Sequence, residues 1–149
     1  MDVIALRAYR HPRVVAMKSL QPYLNFDGNA REAMTFYQSC LGGELQIQSF
    51  GDSNMPGDPN RTMHSHLKSG PTTIMASDTM PDMSLQKGNN TFLCIDTDNV
   101  DELERLFSAL GAGGQVMQPP QDTFWGARFG MLTDKFGVQW MFNCELPKK

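Results

Sequence analysis

The chain has 149 residues and a formal net charge of −3, a length that suits one domain with a hydrophobic core of its own. The mild acidity argues against binding to nucleic acid or to an anionic membrane surface, because phosphates are bound by clustered Lys and Arg. No apolar run is long enough to span a bilayer, so we expect no membrane association.

The three cysteines, Cys40, Cys94 and Cys144, are widely spaced and odd in number. They form neither a CxxC pair nor a disulfide framework, which favours a reducing compartment and therefore a cytoplasmic protein. We expect each cysteine to serve as a small buried hydrophobic residue.

The N-terminal segment differs from the rest of the chain. It carries Arg7, Arg10 and Arg13 without a clear period, and it lacks the apolar core of a signal peptide. We therefore treat residues 1–16 as an extension, either a disordered arm or a non-native addition, and residues 17–149 as a single domain.

The alternation of Leu20, Leu24 and Phe26 with polar side chains predicts a first strand, from Leu20 to Phe26, with these three residues facing the core. A polar turn follows, and the spacing of Asn29 and Glu32 is typical of a capping box at the start of a helix. An apolar stripe at helical spacing then continues until two glycines end the helix.

The same order of elements is predicted twice along the chain. Three strands complete the first half, and after a loop a strand, a helix capped by Asn99 and three more strands follow. The further strands are predicted at residues 44–50, 61–68, 72–77, 91–96, 115–118, 125–133 and 138–144, and the second helix ends at Gly111.

The two halves match at a constant offset of about 69 residues, which indicates an internal repeat. Leu24 corresponds to Leu93 and Met34 to Leu103 in this alignment. One half has too little core to be stable alone, so two packed copies are the expected unit. The sequence therefore predicts an α+β domain built from two βαβββ modules.

Three segments, Gln21–Ala30, Thr123–Gly126 and Thr133–Met141, resemble PhnB-like proteins, which belong to the vicinal-oxygen-chelate (glyoxalase/bleomycin resistance/dioxygenase) superfamily. The resemblance implies two βαβββ modules that form a curved eight-stranded cleft, and usually a homodimer. Module one would cover about residues 18–88 and module two about residues 89–146.

The resemblance also implies where a metal could bind, because enzymes of this superfamily hold a divalent metal with His and Glu on the first and fourth strands of each module. Alternate residues of a strand face the same side, so only every second position there can point into the cleft. None of these positions is Glu, Asp or His, and Gln, Asn and Met are poor ligands for Zn²⁺, Mn²⁺ or Ni²⁺. We therefore predict no bound metal and no other cofactor. The cleft-facing residues are Gln21, Tyr23, Asn25, Met75, Ser77, Asn90, Phe92, Cys94, Gln139, Met141 and Asn143.

His64 and His66 are two residues apart on a predicted strand and share a face, a spacing that can bind a metal with a third ligand. No motif supplies that third ligand. The two histidines could instead line a polar sheet face, contact a substrate or act as an acid or base. Trp140 is predicted to lie in the core, whereas Trp125 suits a core or a pocket equally. The segment from Asp134 to Gly137 is predicted to be a hairpin turn.

Two hypotheses about function follow. The first is a metal-free cleft that binds a small organic molecule. The alternative is a glyoxalase-type lyase or isomerase, or a dioxygenase-related enzyme, that uses a divalent metal or His64 and His66; whether the protein is an enzyme is left open. The candidate ligand-binding residues are Tyr23, Asn25, His64, His66, Met75, Phe92, Trp125, Gln139 and Met141.

Overall fold

The computed structural model describes residues 13–148, and in this range the order strand, helix and three strands occurs twice, as the repeat predicts. The first module consists of β1 (Tyr23–Phe26), α1 (Ala30–Leu41), β2 (Glu44–Ser49), β3 (Thr62–Ser69) and β4 (Thr72–Asp78). The second consists of β5 (Leu93–Thr97), α2 (Val100–Gly111), β6 (Gln115–Asp122), β7 (Ala127–Thr133) and β8 (Gln139–Glu145). A short 3₁₀ helix, Gly51–Ser53, lies in the loop after β2.

The strands form two four-stranded sheets with the orders β1-β4-β3-β2 and β5-β8-β7-β6. In each sheet the first strand of the module runs parallel to the last one, and the remaining pairs are antiparallel. The predicted α+β fold with two βαβββ modules is confirmed. The two sheets are not closed into a barrel.

The two modules share one hydrophobic core. Met34 and Tyr37 of α1 and Leu103 and Leu110 of α2 are fully buried, so each helix turns the predicted apolar stripe inward. Trp140 of β8 is only 2% exposed, which confirms its predicted place in the core. Each sheet therefore has a core face and an open face.

The carboxylate of Asp134 links the two modules inside this core. Its Oδ2 accepts hydrogen bonds from the Tyr37 hydroxyl at 2.6 Å and from Trp140 Nε1 at 2.8 Å. Its Oδ1 accepts from the backbone N–H groups of Phe136 at 2.8 Å and Val138 at 3.0 Å. The predicted turn is confirmed, with Gly137 at a φ of 88° that favours glycine.

The N-termini of the two helices are capped differently. Asn99 accepts a hydrogen bond from the Glu102 N–H at 3.1 Å, as predicted for α2. The predicted capping by Asn29 is wrong, because its side chain makes no cap hydrogen bond. Instead Asp78 Oδ1 accepts from the N–H groups of Gly28 at 2.7 Å and Ala30 at 3.0 Å. Asp78 reaches this position because β4 ends beside the end of β1.

Some predicted strand bounds need correction. Leu20 is 91% exposed and lies before β1, because pairing with β4 begins only at Tyr23. Strand β6 continues beyond Gln118 through two prolines to Asp122, an extension that is possible because β6 is an edge strand with an irregular register. Trp125, predicted at the start of a strand, lies in the turn before β7.

The proposed N-terminal extension falls mainly outside the described residues, which begin at residue 13. Residues 13–16 are exposed and have no regular secondary structure. The boundary at residue 17 stays a prediction. Among the helices of residues 13–148, none has the length and apolar character needed to cross a membrane.

Candidate functional site

The open face of the first sheet carries most of the predicted site residues. Tyr23 and Asn25 of β1, His64 and His66 of β3 and Met75 of β4 alternate with buried residues and point away from the core. The strand register places His66 beside Met75 and Met75 beside Tyr23, so these side chains form one row across the sheet. We call this surface, together with Gln46 and Gln48 of β2, the first open face.

Tyr23 and His64 are in direct contact on the first open face. The Tyr23 hydroxyl and His64 Nδ1 lie 3.1 Å apart, within hydrogen-bond distance, and the two ring centroids are 5.7 Å apart. The hydrogen-bond partner of His64 is therefore a phenol rather than the carboxylate that would typically activate a catalytic base.

A groove of about 420 Å³ crosses the first open face. It is lined by Gln46, Ile47, Gln48, His64 and His66, and no Asp, Glu, Lys or Arg lines it. Gln46 is paired in register with His66, and Gln48 with His64. The two glutamines did not stand out in the sequence, although the alternation of polar and apolar residues along β2 is the signal that could have identified them.

The open face of the second sheet is less polar and holds the other candidates from β8. Met141 lies between Met131 of β7 and Cys94 of β5 in one row. The expected burial of Cys94 is wrong: its position on β5 turns it outward, while Cys40 and Cys144 are buried. We call this surface, which also includes Phe129, Gln139 and Asn143, the second open face.

The Cys94 thiol does not have the character of a nucleophile. Partial burial raises its pKa above the ordinary value, and the negative charge of nearby Asp96 raises it further. The thiol form therefore dominates at neutral pH, whereas nucleophilic cysteines need a lowered pKa. All three cysteines are free thiols.

A small pocket of about 240 Å³ brings predicted residues of both modules together. Tyr23 and Asn25 of β1 line one side, and Gln139 of β8 lines the other. Gln139 Nε2 donates to the Thr91 carbonyl at 2.8 Å. Lys87, in the segment that joins the modules, also lines the pocket and donates to the Phe136 carbonyl at 3.2 Å.

The two remaining aromatic candidates lie elsewhere. Phe92 precedes β5, is partly buried and lines neither of these cavities. Trp125 lies in the turn between β6 and β7 and is 56% exposed. Its ring packs edge-on against Phe124 and Phe129, at centroid distances of 5.0 Å and 5.9 Å.

The residues at the superfamily's metal positions do not fit a transition-metal site in this chain. Tyr23, Asn25, Met75, Gln139 and Met141 supply phenol, amide and thioether groups, which bind Zn²⁺, Mn²⁺ and Ni²⁺ poorly. Within residues 13–148, no three His, Cys, Asp or Glu side chains lie close enough together to hold a metal ion. The metal-free state of the protein itself stays a prediction.

Comparison with known proteins agrees with this fold. The profile of the Glyoxalase/Bleomycin resistance protein/Dioxygenase superfamily matches residues 19–142. The Escherichia coli protein YjdN is 37% identical over an alignment that covers 83% of this chain and 93% of YjdN. A Pseudomonas aeruginosa protein of known crystal structure is 46% identical, with a TM-score of 0.80, over 87% of this chain and 100% of that protein. The structure of a PhnB protein from Bacillus cereus is 25% identical, with a TM-score of 0.72, over 87% of this chain and 100% of the other. This chain therefore belongs to the glyoxalase/bleomycin resistance/dioxygenase superfamily and is similar to its PhnB-like proteins.

Proposed function

We propose that this protein binds a small organic molecule on the first open face and does so without a metal ion. The observation that carries the proposal is the groove lined by two glutamines and two histidines with no charged carboxylate or ammonium group. Binding of small molecules is frequent in this superfamily. Its members serve many chemistries, so the ligand has to be inferred from the site and not from the fold.

The side chains of the first open face suit a neutral ligand with polar edges. Gln46 and Gln48 each offer an amide donor and an amide acceptor, and His66 adds an imidazole. Tyr23 and Met75 offer apolar surface for a flat group beside them. Two positions further along these strands Lys68 lies opposite Glu44, so the nearest cation along the face is offset by an acidic side chain. An anionic ligand is therefore not favoured.

We further propose a homodimer in the cytoplasm. Both open faces lie on the surface of a single chain and carry partly exposed apolar residues, such as Tyr23 on the first and Met141 on the second. Pairing with a second copy would cover such surfaces, and members of this superfamily often dimerise. The three free thiols are consistent with a reducing compartment.

The test is a calorimetric titration of ligands selected from a library of neutral polar compounds in chelating buffer. Replacing Gln48 or His66 by Ala removes a hydrogen-bonding group from the groove and is expected to weaken binding about tenfold, because such a bond contributes about 1–1.5 kcal/mol. Gln121→Ala, on β6 of the other sheet, is the matched control and is expected to bind normally. Equal binding by all three variants would refute the proposed site.

One observation favours an enzymatic alternative, the contact of the Tyr23 hydroxyl with His64 Nδ1. A phenol and an imidazole in contact can pass a proton, as general acid–base catalysis requires. If the protein is an enzyme, a bound ligand is converted, and Tyr23→Phe and His64→Gln each abolish the conversion. If it is a binding protein, mass spectrometry recovers every bound ligand unchanged.

A further inference from the structure

A second groove lies on the second sheet, away from the first open face. It has a volume of about 680 Å³ and lies between the β6–β7 turn and the end of β8. Its lining consists of Asp122–Ala127, Asn143, Glu145 and residues 146–148. We call it the aromatic groove, because Phe124 and Trp125 form one of its walls.

These aromatic rings are exposed on a turn that is fixed by hydrogen bonds. Phe124 is 98% exposed and packs edge-on against Trp125, which in turn packs against Phe129 of β7. Thr123 holds the turn through bonds of 2.8 Å from both its N–H and its hydroxyl to the Ala127 carbonyl. Large aromatic side chains that an ordered turn keeps exposed to solvent are typical of a binding surface.

The two carboxylates that line the aromatic groove differ in their ion pairing. Asp122 is paired with Arg128, which also contacts Glu104 of α2. The Glu145 carboxylate takes part in none of the ion pairs found among residues 13–148. Glu145 lies opposite Ala127, at the foot of the turn that carries Trp125. Lys148 is the one cationic side chain in the lining, and it belongs to the exposed C-terminal tail.

An aromatic wall beside an unpaired carboxylate is the combination that recognises an organic cation. The face of an indole ring attracts a quaternary ammonium group through its quadrupole, and the carboxylate supplies the opposite charge. The volume of the groove is within the range usual for small-molecule sites. We propose that the aromatic groove binds a small organic cation, with the Trp125 indole against its ammonium group and Glu145 as the counter-charge.

The two tryptophans of the chain make this proposal directly testable by NMR. Each indole N–H gives its own signal, and Trp140 is buried with its Nε1 bound to Asp134, whereas Trp125 is exposed. Choline is added to the full-length protein, and its neutral analogue dimethylbutanol, in which carbon replaces the quaternary nitrogen, is the reference ligand. A Trp125→Phe variant assigns the two signals.

The proposal predicts a saturable shift of the Trp125 signal with choline and no shift of the Trp140 signal. Choline should bind at least about fivefold more tightly than dimethylbutanol, as expected for a cation on an aromatic face. Glu145→Gln should weaken choline binding about threefold or more, and high salt should reduce it in the wild-type protein. Glu44→Gln, an exposed carboxylate on β2, is the control and should have no effect.

Three results would overturn the proposal. The first is a Trp125 signal that does not move with choline. The second is an equal response to dimethylbutanol, which would show an apolar groove without selectivity for cations. The third is a Glu145→Gln variant that keeps full affinity. None of these results depends on ligand binding at the first open face, since Trp125 and Glu145 belong to the second module.

Discussion

The carboxylate of Asp134 accepts four hydrogen bonds, and one of the donors, Tyr37, belongs to the other module. Both side chains are almost completely buried, so water cannot replace a bond that is lost. Asp134→Asn keeps the size of the side chain but removes its charge and replaces one acceptor oxygen by an NH2 group, which cannot accept from the two donors on that side.

We expect Asp134→Asn to lower the free energy of unfolding by about 2–4 kcal/mol, as measured by urea denaturation. Asp82→Asn, which changes an exposed carboxylate in the loop after β4, should change it by less than about 0.5 kcal/mol. Equal stability of the two variants would show that Asp134 does not hold the modules together.

The pKa of Tyr37 is raised far above its ordinary value of 10.0, mainly by burial and then by the charge and hydrogen bond of Asp134. Above pH 10 the tyrosine of the unfolded chain loses its proton while the folded chain keeps it, so the unfolded state binds fewer protons. The contribution of Tyr37 to the free energy of unfolding is therefore fully present below pH 10. Above pH 10 it falls by about 1.4 kcal/mol per pH unit.

Tyr37→Phe should therefore be less stable than wild type at neutral pH but lose less stability between pH 9 and pH 11, as followed by urea midpoints across this range. Tyr23→Phe, which changes a partly exposed tyrosine of the first open face, is the comparison and should keep the wild-type alkaline slope. A Tyr37→Phe variant with that same slope would contradict this account of Tyr37.

Single residues were predictable from sequence where the strand pattern decides their direction. The alternation along β8 placed Trp140 in the core, and the spacing of His64 and His66 placed both on one face. Prediction failed where the environment comes from distant residues. Asn29 follows the capping pattern, but Asp78 from β4 occupies the helix end instead.

The two helices have equal length but different N-terminal caps, so the contribution of each cap residue can be compared. The α2 cap is the side chain of Asn99, so Asn99→Ala should lower the free energy of unfolding by about 1 kcal/mol. Asn29 makes no such bond, so Asn29→Ala should cost only a few tenths of a kcal/mol. Urea denaturation measures both, and a larger loss for Asn29→Ala would show that the cap assignment is reversed.

Helices and central strands were predicted nearly to the residue because their apolar periods are long and regular. The edge strand β6 was not, since Pro119 and Pro120 indicate a loop in sequence. At the edge of a sheet one side of the strand needs no ladder partner, and β6 continues across both prolines with a shifted register. Trp125 was predicted at the start of β7, but β6 extends to Asp122 and places Trp125 in the turn between the two strands.

At the scale of the whole molecule, the repeat fixed the architecture, but neither the ligand nor the assembly could be predicted from the pattern. The constant offset between the two halves of the sequence is carried by core residues, and both modules contribute residues to one core. Ligand choice depends on outward-facing side chains such as Gln46 and Gln48, which the fold does not constrain.

If the protein is a homodimer, the wild-type chain should sediment with the mass of two copies at micromolar concentration. Placing a charge on an open face should weaken that dimer, because burying an unpaired charge is costly. Met141→Lys, at the centre of the second open face, should shift the equilibrium toward monomer, whereas Gln86→Lys, on the exposed segment between the modules, should not. Wild-type protein that sediments as a monomer would contradict the dimer.

The most direct test of metal-free ligand binding is the rise in melting temperature caused by a ligand of the first open face, measured in chelator and again with Mn²⁺, Zn²⁺ or Ni²⁺. A ligand that binds the folded state alone stabilises it in proportion to its affinity. We expect the same rise under all conditions and no rise with the metal ions alone. A ligand effect that disappears in chelator, together with stabilisation by a metal ion alone, would contradict it and favour the metal-dependent enzyme.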